Sequence, residues 1–340
     1  MHMKKILLLG TGGTIASKPE STGLEPELPV EELMRFVPKA ADFCEVTGRQ
    51  IMNVDSTNLG PDGWLTIAEA IRGSYDDYDG FVVAHGTDTL AYTAAALSYL
   101  IQRSPKPIVL TGAQKPIDDS STDARDNLYN SLFYASCAGA SDVSVVFNDK
   151  VIAGTRAKKT RSKSYDAFSS INFPALEAIR DGRIIKFIGR DSENYCVDRT
   201  AGHVFYDRLD TSVSMLKLIP SMNGNALCAV ADLSDAVIIE SFGVGGIPED
   251  VERGFGEAIS DCIAAGKTIV VATQVTEEGS NMQAYRVGNM IKNEFDLIET
   301  YDMTLEAAAA KLMWILGQTK DPAKIREMFY RTVNFDILYR

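Results

Sequence analysis

Short apolar runs alternate with helix-like segments along most of this chain, and this alternation limits its possible folds more than any other feature. The apolar runs are each followed within two residues by Gly, Thr or Asn: Lys5–Leu9, Phe81–Ala84, Ile108–Leu110 and Val143–Phe147. Segments with helical character lie in the gaps between them: Trp64–Arg72, Thr89–Gln102 and Ala124–Cys137. Strands that alternate with helices of about 10 to 15 residues indicate parallel βαβ units. The sequence therefore predicts an α/β fold with a mostly parallel sheet.

The length of the chain, 340 residues, favours two domains at roughly 150 residues per domain. The helical period fades after residue 190, and strands and helices alternate again from about residue 222. We therefore predict a larger N-terminal α/β domain over residues 1–190, then an extended segment and linker over residues 191–221. A smaller, flavodoxin-like C-terminal α/β domain is predicted for residues 222–340.

Composition excludes several classes of function. The chain has 34 basic and 46 acidic residues, and its net charge of −12 disfavours nucleic acid and anionic membranes as partners. No apolar run is long enough for a membrane span or a signal peptide, so we expect a cytoplasmic protein. The five cysteines lack a Cys-x-x-Cys pair, and only three histidines are present, one of them in a tag-like start at His2. We expect reduced cysteines and no metal site.

Glycine and hydroxyl side chains cluster after the first predicted strand, in the sequence Gly10-Thr11-Gly12-Gly13-Thr14-Ile15-Ala16. Ligands of open α/β sheets bind at the carboxyl ends of strands, where this cluster lies. The dinucleotide-binding pattern G-x-G-x-x-G fails because Ile15 stands at its third glycine position. A plain glycine-rich turn without chemistry is the alternative to a binding loop.

Two further polar clusters follow later strands. In His85-Gly86-Thr87-Asp88-Thr89, a hydroxyl and a carboxylate lie side by side, although either side chain could instead cap the next helix. We interpret His85 as a packed, hydrogen-bonded histidine. The third cluster is the basic segment from Gly154 to Thr160. Such a segment is usually a solvated face, but a desolvated lysine beside a carboxylate can also serve as the base for a hydroxyl nucleophile.

Three sequences carry a resemblance to a known family: Thr11-Gly12-Gly13-Thr14-Ile15-Ala16, His85-Gly86-Thr87-Asp88-Thr89 and Thr111-Gly112-Ala113-Gln114. They resemble the bacterial L-asparaginases, and the similarity extends from Lys5 to about Asp321. Asp55-Ser56-Thr57-Asn58 and Tyr165-Asp166-Ala167-Phe168 are most similar to the cytosolic type I branch. The resemblance implies hydrolysis of L-asparagine to L-aspartate and ammonia, without a cofactor, through an acyl-threonine intermediate.

The resemblance also implies roles for individual residues. Thr14 matches the nucleophile, and Thr87 matches a second threonine held with Asp88 and a lysine. Counting from Gly154 to Phe168 identifies that lysine as Lys159, with Lys158 as the alternative register.

The substrate is expected to be held in two ways. Ser56 would bind its α-carboxylate and Asp88 its α-ammonium, with a contact from Thr57. Backbone groups at Gly13, Thr87 and Asp88 would supply donors for the oxyanion.

Two departures from the family pattern concern the surroundings of this site. Leu24 stands in the expected lid loop, where many members carry a tyrosine, so a hydrogen bond from the lid to Thr14 is lost. Secreted members receive two polar side chains from a neighbouring subunit, and here Tyr285 is the candidate for such a contact. Sites at subunit contacts imply a homodimer or a homotetramer.

Three alternative functions remain. A dual glutaminase-asparaginase differs only in tolerating one extra methylene, which is worth about 1–3 kcal/mol of discrimination. An amidotransferase subunit that serves misacylated tRNA shares the fold, but it carries an N-terminal extension and is disfavoured by the net charge. The third alternative is a non-catalytic amino-acid-binding member of the fold.

Overall fold

The computed structural model describes residues 3–20, 23–26, 28–188, 202–248, 254–284, 286–295 and 297–339. The chain forms two compact units. The first contains Met1–Asp207 and the short segment Val333–Phe335, and the second contains Arg208–Thr332 and Asp336–Arg340. Of the predicted linker, residues 191–201 lie outside the described residues.

The first unit contains a large sheet and, among the described residues, three separate pairs of strands. Its strands are β1 (Lys4–Gly12), β2 (Ser17–Glu20), β3 (Gly23–Pro26), β4 (Cys44–Val54), β5 (Gly80–Ala84), β6 (Ile101–Gln102), β7 (Pro107–Thr111), β8 (Asp142–Phe147), β9 (Lys150–Ala153), β10 (Ala157–Lys159), β11 (Phe168–Ser170), β12 (Glu177–Arg180), β13 (Arg183–Lys186) and β14 (Val204–Phe205). Its α-helices are α1 (Val30–Leu33), α2 (Pro61–Arg72), α3 (Leu90–Leu100) and α4 (Ala124–Ser136). Single 3₁₀ turns form at Thr14–Ala16, Met34–Phe36, Pro38–Asp42 and Ser56–Asn58.

Eight strands pair in the order β13-β12-β9-β8-β7-β5-β1-β4. Five neighbouring strands, β4, β1, β5, β7 and β8, are parallel. Strands β9, β12 and β13 extend the sheet with antiparallel pairing. Every residue of β5 and β7 is buried, because helices cover both faces of a parallel sheet. The alternating strands and helices of the sequence therefore predict this α/β architecture correctly.

The predicted lid segment forms a β-hairpin rather than an irregular loop. Ser17 pairs with Pro26 and Pro19 with Leu24 in the antiparallel β2–β3 pair. Residues 21, 22 and 27 lie outside the described residues, and of Leu24 the structure describes the backbone.

The second unit contains a four-stranded parallel sheet. Its elements are β15 (Val213–Lys217), α5 (Gly224–Ala231), β16 (Ala236–Ser241), α6 (Phe255–Ala264), β17 (Thr268–Thr273), a 3₁₀ turn (Met282–Ala284), α7 (Arg286–Phe295), β18 (Ile298–Glu299), α8 (Leu305–Gln318) and α9 (Pro322–Tyr330). The prediction of a smaller α/β domain is confirmed. Its strands follow one another in chain order, without the reversal after the first strand that flavodoxin has.

The boundary between the two units differs from the predicted linker over residues 191–221. Residues 208–221 belong to the second unit, because β15 pairs in parallel with β16 and forms an edge of the second sheet. Val333–Phe335 return to the first unit, where the backbone oxygen of Asn334 accepts from Thr155 Oγ1 at 2.6 Å. Across the described ranges, no helix is both long and apolar enough to cross a membrane.

Candidate active site

Glycines bring three loops together at the carboxyl ends of β1, β5 and β7, which are neighbours in the sheet. A Cβ on Gly13 would lie 2.3 Å from Gly86 Cα, and a Cβ on Gly112 would lie 2.4 Å from the carbonyl oxygen of His85. Gly13 also has a φ of +77°, which other residues rarely adopt. These close approaches require glycine. Thr14 follows Gly13 and Thr87 follows Gly86, so each threonine comes directly after a glycine of the Gly13–Gly86 backbone contact.

Thr14 begins a 3₁₀ turn directly after Gly13. Ser17 Oγ donates to the carbonyl oxygen of Gly13 at 2.9 Å, and the backbone N–H of Ala16 donates to the same oxygen at 3.0 Å. Thr14 is half-buried, whereas Ile15 and Ala16 are buried in the core of the unit. The turn is therefore anchored on both sides of a threonine that stays accessible.

Lys159 joins Thr87 to Asp88. Its Nζ donates to Thr87 Oγ1 at 2.7 Å and to Asp88 Oδ1 at 2.6 Å. Lys159 lies in β10, whose hairpin with β11 carries it to the end of β5. Thr87 is 5% exposed, the Lys159 side chain 18% and the Asp88 side chain 55%. Both oxygens accept from the Lys159 amine, and the Asp88 carboxylate is open to solvent.

Ser56 and Thr57 lie beside this group in the Ser56–Asn58 turn. Ser56 Oγ is buried and accepts from the backbone N–H of Asp88 at 3.3 Å. This contact leaves the hydroxyl hydrogen of Ser56 available for another acceptor. Thr57 Oγ1 donates to Asp55 Oδ1 at 2.7 Å. The backbone and side-chain hydrogen bonds from Thr57 lower the pKa of Asp55 below its usual value. Because its hydroxyl hydrogen is committed to Asp55, Thr57 can act toward a substrate only as an acceptor.

Two residues without a predicted role complete the site. Gln114 Oε1 accepts from Thr87 Oγ1 at 3.4 Å, and Gln114 Nε2 donates to the carbonyl oxygen of Ser164 at 3.1 Å. The buried Asp123 carboxylate accepts from the backbone N–H groups of Gln114 and Lys115 at 3.0–3.1 Å. Burial raises the pKa of Asp123, although these backbone donors oppose the shift.

Comparison with known proteins extends this picture to the whole chain. Residues 5–190 match the family model "Asparaginase, N-terminal", and residues 212–329 match "Glutaminase/Asparaginase C-terminal domain". The chain belongs to the asparaginase family.

Several relatives resemble this asparaginase-family chain over nearly its full length. An L-asparaginase of Thermococcus kodakarensis is 37% identical, with 98% of this chain and 99% of the relative covered. L-asparaginase 1 of Escherichia coli is 31% identical, with 96% of each chain covered. A glutamyl-tRNA(Gln) amidotransferase component of Metallosphaera sedula is 32% identical, with 95% of this chain and 74% of that protein covered.

Solved structures of asparaginases share the fold. The Thermococcus kodakarensis enzyme superimposes with a TM-score of 0.88 at 36% identity, covering 98% of this chain and 99% of that one. A structure described as "Probable Cytoplasmic L-asparaginase from Campylobacter jejuni" has a TM-score of 0.82 at 29% identity, covering 97% and 100%.

The residues that the sequence predicts for the asparaginase site meet only in part. Thr87, Asp88 and Lys159 are in direct contact, Ser56 contacts Asp88, and Gly13 contacts Gly86. Of the two candidate lysines, Lys159 is the one that reaches Thr87 and Asp88. Tyr285 and the Leu24 side chain lie outside what the structure describes. Gln114 was not predicted as a site residue, although its position three residues after the buried strand β7 was a usable signal.

The histidine of this asparaginase-family signature is structural, as predicted. His85 is fully buried, with Nδ1 2.6 Å from the carbonyl oxygen of Gly86 and Nε2 2.9 Å from Thr93 Oγ1. A carbonyl oxygen only accepts, so Nδ1 carries the proton and Thr93 donates to Nε2. Burial lowers the pKa of His85 from 6.5 to about 4. The neutral ring fixes the Gly86 carbonyl immediately before Thr87.

We expect His85 to make the fold sensitive to acid. Its pKa is lower in the folded state than in the unfolded state, so the unfolded chain binds more protons between the two values. The stabilisation is complete above the unfolded pKa and is lost as the pH falls toward the folded one, by about 3 kcal/mol. Urea unfolding of His85→Gln at fixed protein concentration should therefore show a smaller loss of stability from about pH 7 to about pH 4 than the wild type shows.

The exposed His203 supplies the matched control for this measurement. We expect His203→Gln to follow the wild-type dependence of unfolding free energy on pH. If His85→Gln follows it as well, burial of a neutral His85 does not contribute to acid sensitivity.

Proposed function

We propose that this chain hydrolyses L-asparagine to L-aspartate and ammonia. The observation that carries the proposal is the Lys159 amine, 2.7 Å from Thr87 Oγ1 and 2.6 Å from Asp88 Oδ1. Thr87 and Asp88 follow Gly86, whose backbone abuts that of Gly13, the residue before Thr14. An amide hydrolase needs a nucleophile, a group that moves protons and donors for the oxyanion. Thr14, the Thr87–Lys159 pair and the backbone N–H group of Thr87 can supply these three parts. The N–H groups of Gly13 and Asp88 donate to Val54 O and Ser56 Oγ instead.

The proposed reaction has two displacements. Thr14 Oγ1 attacks the side-chain amide carbon of asparagine, its proton passes toward the Thr87–Lys159 pair, and an oxyanion forms. The carbon–nitrogen bond then breaks, and the nitrogen leaves as ammonia after receiving that proton. Water attacks the acyl-threonine ester, gives one proton back to Thr14 Oγ1, and releases aspartate. Asparagine and water are consumed, and aspartate and ammonia are formed, with the enzyme unchanged.

The geometry around Ser56 supports recognition of a zwitterionic amino acid. The Ser56 hydroxyl hydrogen can donate to the substrate carboxylate, since Ser56 Oγ accepts from Asp88 N. The Asp88 carboxylate is solvent-accessible on one side and can pair with the substrate ammonium. Thr57 Oγ1 can accept from that ammonium while the Thr57 hydroxyl still donates to Asp55 Oδ1. Charge-assisted hydrogen bonds of this kind contribute about 1.5–3 kcal/mol each.

We further propose that the chain is a cytoplasmic, type I enzyme that acts as a homodimer or homotetramer without a cofactor. Similarity to L-asparaginase 1 of Escherichia coli and to the Campylobacter jejuni protein supports the branch. The site assembled from Thr14, Thr87, Asp88 and Lys159 contains the groups that amide hydrolysis needs. Light scattering of the purified protein tests the oligomeric state, and a monomer would contradict it.

Purified protein should release ammonia from L-asparagine with a kcat/KM at least about tenfold higher than from L-glutamine. The reason is that one extra methylene is worth about 1–3 kcal/mol in a fitted site. Comparable values for both amides would identify a dual glutaminase-asparaginase. Ammonia release from either amide only when glutamyl-tRNA(Gln) is added would favour the function named for the Metallosphaera relative. No release from either amide, with or without that tRNA, would favour a non-catalytic binding protein.

A further inference from the structure

The side chain of Gln114 connects the Thr87 hydroxyl to a second loop. Its Oε1 lies 3.4 Å from Thr87 Oγ1, and its Nε2 lies 3.1 Å from the carbonyl oxygen of Ser164. Ser164 belongs to the loop between β10 and β11, which follows Lys159, the last residue of β10. Gln114 is half-buried and its contact with Thr87 is partly buried, whereas Ser164 is exposed.

The Ser164 carbonyl fixes the orientation of the Gln114 amide. A flipped amide would direct Oε1 at the Ser164 oxygen, and two acceptors would face each other without a proton between them. The donor Nε2 must therefore point to Ser164, which leaves Oε1 pointing to Thr87.

The hydroxyl of Thr87 is oriented as a consequence. Lys159 Nζ donates to Thr87 Oγ1 at 2.7 Å, so a lone pair of that oxygen faces the amine. The hydroxyl hydrogen is then directed at Gln114 Oε1. We propose that Gln114 is a positioning residue that holds the Thr87 hydroxyl in this orientation during asparagine hydrolysis.

The backbone around Gln114 is held firmly enough for this role. Asp123 precedes α4 but does not cap it, and its carboxylate instead accepts from the N–H groups of Gln114 and Lys115. Asn127 Nδ2 donates to the carbonyl oxygen of Gly112 at 3.0 Å and to Asp123 Oδ2 at 3.2 Å. The loop after β7 is thereby attached to α4, and the Gln114 side chain extends from a fixed position.

The inference rests on the proposed role of Thr87 and is tested with kcat, KM and their pH dependence. Gln114→Met removes both hydrogen bonds at similar size. Because the Thr87 contact is long, we expect kcat to fall about 3- to 10-fold, with KM changed less than about twofold. The ratio of kcat for Gln114→Met to that of the wild type should not vary with pH.

Gln114→Glu gives a readout that loss of packing would not produce. A protonated carboxyl group donates to Ser164 and accepts from Thr87 as the amide does, whereas the carboxylate presents an acceptor to the Ser164 carbonyl. The kcat ratio of Gln114→Glu to wild type should therefore be within about threefold at about pH 4.5, near the ordinary pKa of glutamate. It should fall to the level of Gln114→Met or below by about pH 7.5.

Lys115→Met is the matched control. The backbone N–H of Lys115 donates to Asp123 as that of Gln114 does, but the Lys115 amine donates to Ser121 Oγ and not to Thr87. It should keep the wild-type kcat and pH profile. A wild-type kcat for Gln114→Met, or a pH-independent ratio for Gln114→Glu, would overturn the inference. Thr87→Ala separates the inference about Gln114 from the proposed function. If Thr87→Ala is inactive, either of these Gln114 results contradicts only the role of Gln114. If Thr87→Ala is fully active, the proposed catalytic site itself is wrong.

Discussion

Replacing Thr14 or Thr87 by alanine is expected to lower kcat by about 10³-fold or more, the usual loss when a nucleophile or its proton-transfer partner is removed. Thr14 stays accessible at the start of an anchored turn, and Thr87 accepts from Lys159. Each substitution removes only a hydroxyl and a methyl group, so we expect both variants to fold. Steady-state kinetics of ammonia release and circular dichroism of the same samples make the measurement.

Thr66→Ala is the control for these variants, because Thr66 Oγ1 donates to the carbonyl oxygen of Asp62 on an exposed face of α2. It should keep the wild-type kcat. Mass spectrometry of the wild type quenched with a slow substrate should find an acyl group on Thr14. An adduct on Thr87, or Thr14→Ala that keeps a tenth of wild-type turnover, would show that Thr14 is not the nucleophile.

Replacing Lys159 by methionine is expected to have a comparable effect, about 10³-fold on kcat, since it removes the only group seen to bridge Thr87 and Asp88 in the described residues. Methionine keeps the length of the side chain. Asp88 loses its partner, but its side chain is more than half exposed and can be hydrated, so the fold should persist. The rise of kcat/KM with pH that a lysine base produces should disappear in this variant.

Lys159→Arg distinguishes a proton acceptor from a cationic support. Arginine keeps the charge and the donors, but it does not release a proton in proteins. We expect less than a few per cent of wild-type kcat/KM for this variant, with no rise toward alkaline pH. An arginine variant with substantial activity and an unchanged pH profile would show that Lys159 supports Thr87 through its charge alone.

The fold could be predicted where local sequence and burial agree. Phe81–Ala84 reads as a strand because β5 is buried on both faces and is therefore apolar throughout. The edge strand β4 was missed because, after the buried Cys44, its residues are half-buried or exposed and form no apolar run. Ile101 and Gln102 continue a helical pattern in sequence, yet they form β6, because β14 pairs with them from about a hundred residues away.

The site could be predicted as far as the family signature extends. Thr14, Thr87, Asp88 and Lys159 come from that signature, and the structure brings the last three into contact. Gln114 lies within a signature sequence, but its partner Ser164 is 50 residues away. No local pattern indicates which atom an amide side chain will contact across two loops.

The strand-turn-helix units follow from local sequence, because apolar runs and turn residues act on their immediate neighbours. The hydrogen bonds of the site depend instead on contacts between distant parts of the chain. Lys159 is 72 residues from Thr87, and Asp123 turns from its own helix to the loop of Gln114. Such contacts form when β10 and the loop that follows it meet the loops after β5 and β7. The closest donor and acceptor are then set by folding of the whole unit rather than by distance along the chain.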